Sequence, residues 1–180
     1  MSPTTYFPDA VTLGTGLLLT RLVLGVLMVA HGGQKLFGWL GGYGIDGTAS
    51  FFEQLGFRPG KLFVITASVS EVASGILIAL GLLGPVGPAL LLSVMIVAAV
   101  SVHWKGGLFA GTNGIEVPLL YATGAVALAF TGPGPFSLDT VLGIDPTWTP
   151  ALKLAAVAVG VVGGVVNLQA RRSAGVTATA

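Results

Sequence analysis

The 180-residue sequence contains no cysteine, and its charged side chains are scarce. The absence of cysteine excludes a disulfide framework, a thiol redox pair and any zinc or iron–sulfur site that needs thiolate ligands. Lys, Arg, Asp and Glu together make up 8% of the chain, whereas soluble domains usually carry about a quarter. The composition therefore excludes a soluble globular protein.

Several functional signatures are missing as well. The net charge of +1 gives no basic surface for nucleic acid, so no nucleic-acid partner is expected. No G-x-G-x-x-G follows a predicted strand, and no H-E-x-x-H or nucleophile-elbow sequence occurs. The first residues, MSPTTYFPDAVTLGTG, lack the features of a cleaved signal peptide. The two histidines lie at the edges of apolar segments, where they are poorly placed to face each other across a haem, so we expect neither haem nor a bound metal.

Apolar residues dominate what remains, at 53% of the chain with a mean hydropathy of +0.91. A membrane-spanning helix needs roughly 20 mostly apolar residues. The pattern predicts an all-α membrane protein with one transmembrane domain over 1–180. Its five spans are expected at about 11–33, 62–84, 86–104, 116–132 and 151–169. TASFFEQLGFRPG (48–60) predicts a short interfacial helix, capped by Thr48 or Ser50 and stopped by Gly56.

The basic residues are distributed asymmetrically about these spans. With five spans, six of them fall on one side: Lys35, Arg58, Lys61, Lys105, Arg171 and Arg172. Lys153 lies near the other side, together with Asp9, Asp139 and Asp145. Since Lys and Arg are enriched in cytoplasmic loops, the sequence predicts a plasma-membrane protein with its N-terminus outside and its C-terminus in the cytoplasm.

Two charged residues, Arg21 and Glu71, fall near the middle of predicted spans, where such groups are paired and often functional. If the first helix continues to Trp39, His31 lies about 12 Å deep, near the level of Glu71. If it ends at the Gly32–Gly33 pair, Arg21 lies level with Glu71 instead. The second register gives a span of about one bilayer thickness, and glycine often ends helices. It predicts a buried ion pair between Arg21 and Glu71.

Polar residues also gather where spans meet the predicted cytoplasmic interface. The candidate ligand-binding residues are His31, Gln34, Lys35, His103 and Glu116, and the candidate aromatic walls are Phe37, Trp104 and Phe109. Histidine and lysine at this depth can donate hydrogen bonds to the polar part of a lipophilic ligand. Histidine titrates near neutral pH, and Glu116 could relay protons. These residues therefore predict a ligand-binding site at this interface.

Structural interpretations of the same residues stay open at this point. The N-x-x-E spacing of Asn113 and Glu116 is typical of a helix capping box. Lys35 can serve as a topological anchor on the cytoplasmic side. A single interfacial histidine is usually part of an amphipathic surface. The sequence assigns no residue to catalysis.

Five segments in order resemble the DoxX family: RLVLGVLMVAHGGQKLFGWLGGYG, FFEQLGFRPG, SEVASGILIALGLLGP, VHWKGGLFAGTNGIEVPLL and GPGPFSLD. The resemblance covers about 21–139 and implies a four-helix membrane core, to which the span at 151–169 is an addition. The family is named for its similarity to a subunit of a membrane thiosulfate:quinone oxidoreductase. The resemblance thus implies a quinone-linked redox role, in which the candidate ligand-binding residues receive a quinone headgroup. A quinone has an apolar tail that belongs between helices and two carbonyls that need donors, which histidine and lysine can supply. A chain without cysteine is poorly suited to direct sulfur transfer.

The expected function is that of a membrane subunit of a quinone-linked oxidoreductase, with quinone as its ligand and no redox centre of its own. Electrons would come from a soluble or peripheral oxidoreductase partner, or directly from a substrate. The alternative is a non-catalytic scaffold or assembly subunit that recruits such an oxidoreductase to the lipid membrane, alone or as an oligomer. A channel or carrier ranks last, because inverted repeats and a continuous polar stripe are missing.

Overall fold

A computed structural model describes residues 9–171, and every regular element in that range is helical. The α-helices are α1 (Ala10–Phe37), α2 (Gly44–Gln54), α3 (Gly60–Leu80), α4 (Val86–Ala98), α5 (Glu116–Thr131), α6 (Leu138–Leu142) and α7 (Pro150–Gln169). A π-helical turn, Ala99–His103, continues α4. The predicted all-α class is confirmed.

Four helical segments are long and apolar enough to cross a membrane: α1, α3, the α4 segment extended to Gly106, and α7. The remaining predicted span is α5, an apolar helix of 16 residues. It packs against α1, α4 and α7. The multi-pass helical membrane architecture therefore agrees with the sequence, and α5 is its shortest member.

Small residues set the distance and the register between α1 and α3. Gly25 and Gly75 face each other so closely that a Cβ on Gly25 would lie 2.6 Å from the Gly75 carbonyl oxygen. About two helical turns further towards the end of α1, Gly32 packs against Ser68 and Val72. Such contacts let helix backbones approach within lipid. They pair residue 25 with residue 75 across the interface.

The fifth predicted span packs against the core in the same way. A Cβ on Gly160 of α7 would lie 2.6 Å from the carbonyl oxygen of Ala89 in α4. Gly164, one turn later, packs against Ile96. Close approach through glycine therefore holds the C-terminal helix to α4.

The expected end of the first helix at Gly32–Gly33 is wrong. Helix α1 continues to Phe37 and ends at Gly38, whose φ of 73° is the left-handed conformation typical of a helix C-terminus. Gly32 and Gly33 are buried because α3 packs on the first and the ring of Trp39 on the second. The glycine pair serves packing rather than termination. The rejected register, with His31 near the level of Glu71, is the one observed.

The predicted ion pair between Arg21 and Glu71 is also wrong. In the observed register Arg21 lies beside Gly81, about ten residues of α3 beyond Glu71, which is roughly 15 Å of helix. The Arg21 guanidinium is buried and donates to the carbonyl oxygens of Pro133 and Phe136, each at 2.6 Å. Arg21 thus fastens the loop between α5 and α6 to α1.

Asp139 lies at the same end of the bundle as Arg21. This end, hereafter the loop end, contains the α3–α4 turn, the loop between α5 and α6 and the loop before α7. Its buried carboxylate accepts hydrogen bonds from the backbone N–H groups of Leu83 and Gly84 at 2.7 and 2.6 Å. It also accepts one from the indole of Trp148 at 2.9 Å. A carboxylate with three such donors is well satisfied although fully buried. The α3–α4 turn and the loop before α7 are thereby joined.

The interfacial helix begins earlier than the sequence predicted. Helix α2 starts at Gly44, with Tyr43 as its N-cap residue, so neither Thr48 nor Ser50 caps it. Both lie within the helix, and Thr48 is buried. The predicted stop at Gly56 agrees with the structure, because Gly56 has a φ of 93° just after the helix ends.

Candidate functional site

Most of the Lys and Arg side chains of the described residues lie at the opposite end of the bundle, hereafter the basic end. It contains the C-terminus of α1, helix α2, the N-terminus of α3 and the end of α7. Arg171 donates from Nε to the carbonyl oxygen of Leu55 at 2.9 Å and lies 5.6 Å from the ring centroid of Phe57. This contact places the end of α7 beside α2. Arg172, which the sequence also assigned to this side, lies outside the described residues.

A cavity of about 300 Å³ opens between α1, α2, α3, α4 and α5 at the basic end. Most of its lining is apolar, including the aromatic rings of Phe51, Phe52 and Phe57. The polar side chains that line it are His31, Lys35, Thr48, Glu71, Ser101, His103 and Tyr121. An apolar cavity with a few converging polar groups is typical of a small-molecule site.

An ion pair between α1 and α3 forms one wall of the cavity. Lys35 Nζ lies 2.8 and 2.7 Å from the two carboxylate oxygens of Glu71 and 3.3 Å from the carbonyl oxygen of His31. The Glu71 side chain is only 6% exposed and that of Lys35 is 25% exposed. Removal from water is costly for both charges, so the bidentate geometry is what makes their burial tolerable.

His31 and Tyr121 bring α1 and α5 together beside this pair. Their ring centroids lie 6.1 Å apart with the planes at 78°, an edge-to-face contact. His31 lies one helical turn before Lys35 on α1, so both side chains reach the same cavity. The neutral forms of an imidazole and a phenol can each donate and accept a hydrogen bond.

The π-helical turn after α4 supplies Ser101 and His103. The Ser101 hydroxyl is buried and has no hydrogen-bond partner within the described chain. By contrast, seven helical hydroxyls bond to the carbonyl four residues earlier: Thr15, Thr20, Ser50, Thr66, Ser68, Thr123 and Thr131. Buried polar groups without partners are rare, and π-helical turns frequently occur at functional sites. Ser101 is therefore available to a ligand in the cavity.

His103 is oriented by the loop that precedes α5. Its Nδ1 lies 3.1 Å from the carbonyl oxygen of Asn113. Since a carbonyl oxygen can only accept, this bond assigns a proton to Nδ1. In the neutral imidazole the other nitrogen, Nε2, is then an acceptor.

Three of the five predicted ligand-binding residues line the cavity, namely His31, Lys35 and His103. Gln34 lies outside it, and its amide is 3.4 Å from the carbonyl oxygen of Leu40. Glu116 also lies outside, because its carboxylate accepts from the backbone N–H of Ala110 at 2.8 Å. This bond shapes the loop before α5 and replaces the predicted capping box with Asn113, since α5 has no side-chain cap.

The predicted aromatic walls lie outside the cavity as well. Phe37, Trp104 and Phe109 are all exposed on the surface of the bundle, to 63%, 65% and 67%. The rings that do line the cavity belong to α2, the segment after it, and Tyr121. Sequence reasoning missed Glu71, Ser101 and Tyr121 as lining residues. A charge within an apolar span was a signal for Glu71, whereas Ser101 and Tyr121 carried none.

Comparison with known protein families gives a match over part of the chain. The model of the family described as DoxX matches residues 16–104. The matched range contains Lys35, Glu71, Ser101 and His103, and Tyr121 lies beyond it. No curated protein and no solved structure matches the chain.

Proposed function

Because the chain belongs to the DoxX family of membrane proteins, we propose that it binds the headgroup of a membrane quinone in the cavity at its basic end. In this proposal it is the membrane subunit of a quinone-linked oxidoreductase, and electrons come from a partner or a substrate. The observation that carries the proposal is an apolar cavity between helices whose polar atoms include an unpartnered buried hydroxyl, that of Ser101.

The shape and polarity of the cavity support a lipophilic ring compound. A volume of about 300 Å³ is at the lower end of the range for small-molecule sites, which suits a single substituted ring. Phe51 and Phe52 offer aromatic surfaces to such a ring, and Ser101 can donate to an oxygen on it. An isoprenoid tail would leave between apolar helices into lipid.

We expect photo-crosslinking with an azido-quinone to label the purified protein in nanodiscs. His31→Ala and Ser101→Ala should each reduce labelling about fivefold, since each removes a possible donor to a quinone carbonyl and one hydrogen bond contributes roughly 1 kcal/mol. Gln34→Ala and Glu116→Ala are the matched controls outside the cavity and should label like the unaltered protein. Absence of labelling, or equal labelling in all variants, would contradict quinone binding and favour the scaffold that recruits an oxidoreductase.

We further propose that the basic end faces the cytoplasm of a plasma-membrane protein. Lys35, Lys61 and Arg171 lie at this end, and Lys153 lies near the loop end, where its ammonium donates to the carbonyl oxygen of Phe130. The positive-inside rule then puts the C-terminus in the cytoplasm.

A phosphatase that is active only outside the cytoplasm tests this orientation. Fused after residue 180 it should be inactive, and inserted between Asp145 and Thr147 it should be active. A cytoplasmic reporter at the same two positions is the control and should give the reverse. Activity of the phosphatase at the C-terminus would contradict the proposed orientation.

A further inference from the structure

The ammonium group of Lys35 has no hydrogen left for a ligand. A lysine side chain has three N–H donors and no acceptor. The three bonds of Lys35 go to Glu71 Oε1, Glu71 Oε2 and the carbonyl oxygen of His31. The sequence suggested Lys35 as a donor to a quinone carbonyl, whereas the structure uses all of its donors within the protein.

The cavity retains acceptors instead. An ionised carboxylate offers about four acceptor sites, and the bonds from Lys35 occupy two of those on Glu71. His103 commits its Nδ1 proton to the carbonyl oxygen of Asn113, so its neutral ring can only accept at Nε2. Both side chains line the cavity. The hydroxyls of Thr48, Ser101 and Tyr121 and the neutral ring of His31 can donate or accept, and so favour neither kind of ligand.

We infer that the cavity binds the reduced, hydroxyl-bearing form of its ring ligand, a hydroquinone, more tightly than the oxidised quinone. This inference rests on the proposed function and specifies its ligand. A quinone presents two carbonyl oxygens, which cannot pair with acceptors. A hydroquinone presents two hydroxyls, and an O–H that donates to a carboxylate forms a short, charge-assisted hydrogen bond. Glu71 and Nε2 of His103 are the acceptors for these hydroxyls.

The preference has a thermodynamic consequence for the bound couple. A site that binds the reduced form more tightly raises the reduction potential of the bound quinone relative to the free one. For a two-electron couple, a tenfold preference corresponds to a rise of about 30 mV. A bound quinone would thereby accept electrons from the partner or substrate more readily than a free one, and the hydroquinone formed would be held more tightly than the quinone.

Anaerobic calorimetry on the full chain in nanodiscs tests the inference with three ligands of one shape. The probes are a decyl-substituted benzoquinone, its hydroquinone and the dimethyl ether of that hydroquinone, which has the same ring without donors. We expect the hydroquinone to bind about tenfold more tightly than the other two, since hydrogen bonds to charged groups are the stronger ones. Equal binding, or tighter binding of the quinone, would overturn the inference and leave the proposed function standing.

Two variants assign the preference to its acceptors. Glu71→Gln removes a carboxylate and frees a Lys35 donor, so the ratio of hydroquinone to quinone affinity should fall close to one. His103→Asn keeps an N–H near the position of Nδ1 for the Asn113 carbonyl but removes Nε2, and should lower the ratio about threefold. His103→Asn leaves the ion pair between Lys35 and Glu71 intact, so it tests the preference even if Glu71→Gln folds poorly. Glu116→Gln, outside the cavity, is the matched control.

The possible outcomes separate the two proposals. A preference for hydroquinone that falls in the Glu71 or His103 variant and persists in Glu116→Gln supports the inference. A preference that persists unchanged in both cavity variants overturns the assignment of these acceptors. Failure of all three probes to bind the unaltered protein would contradict the proposed function itself, and the inference with it.

Discussion

Replacing Glu71 by glutamine is expected to lower the free energy of unfolding by about 3–5 kcal/mol. Lys35 would then keep its charge in a largely enclosed site without the carboxylate that accepts its two short hydrogen bonds. Unfolding by heat in detergent, followed by circular dichroism, measures the loss. The matched control is Glu116→Gln, whose carboxylate lies in an exposed loop contact and should contribute far less.

Charge exchange distinguishes the observed pair from the one predicted by the sequence. Lys35→Glu combined with Glu71→Lys should recover part of the lost stability, because the two side chains still meet. Arg21→Glu combined with Glu71→Arg should recover none, since Arg21 bonds to carbonyl oxygens in the loop after α5. Recovery by the Arg21 exchange and not by the Lys35 exchange would show that the helix register described here is incorrect.

Gly25→Leu is expected to destabilise the bundle by about 3 kcal/mol, the upper range for an overpacked site. Even a Cβ at this position would lie 2.6 Å from the Gly75 carbonyl oxygen and 2.7 Å from the Cβ of Ala79, so the helix backbones must separate. The same thermal unfolding in detergent measures the effect.

Gly16→Leu is the matched control for this substitution. Gly16 lies on the same helix, and its substitution makes the same chemical change, but a Cβ at this position has no neighbour within 4 Å. Leucine also has a higher helix propensity than glycine, by roughly 0.8 kcal/mol, so this variant should be as stable as the parent or more so. Equal destabilisation at both positions would indicate that the Gly25–Gly75 contact does not hold α1 to α3.

The sequence predicted the number and order of the apolar helices because that information is local. A run of apolar residues is sufficient to indicate a span, and α3, α5 and α7 lie close to the predicted segments 62–84, 116–132 and 151–169. The end of α1 was mistaken because glycine has two uses in membrane helices. Gly32 and Gly33 could stop a helix or let a neighbour approach, and only the position of α3 and of Trp39 distinguishes these roles.

The candidate site was less predictable because it depends on the relative register of helices. His31, Lys35 and His103 were identified from their common depth at the membrane interface. The partner of Lys35 was missed because the choice of register placed Glu71 opposite Arg21 instead. Glu116 was misassigned because its carboxylate bonds within its own loop, a contact that depth along a helix does not reveal.

The π-helical turn, Ala99–His103, makes the orientation of His103 depend on chain length as well as on residue type. In an α-helix each residue advances the chain by about 100°, so one residue fewer in this turn would rotate everything after it by that amount. A chain one residue shorter here would place Trp104 where His103 now lies, beside the Asn113 carbonyl oxygen. Two chains with the same residues around this histidine can therefore differ, through a single insertion or deletion, in which side chain meets the loop before α5.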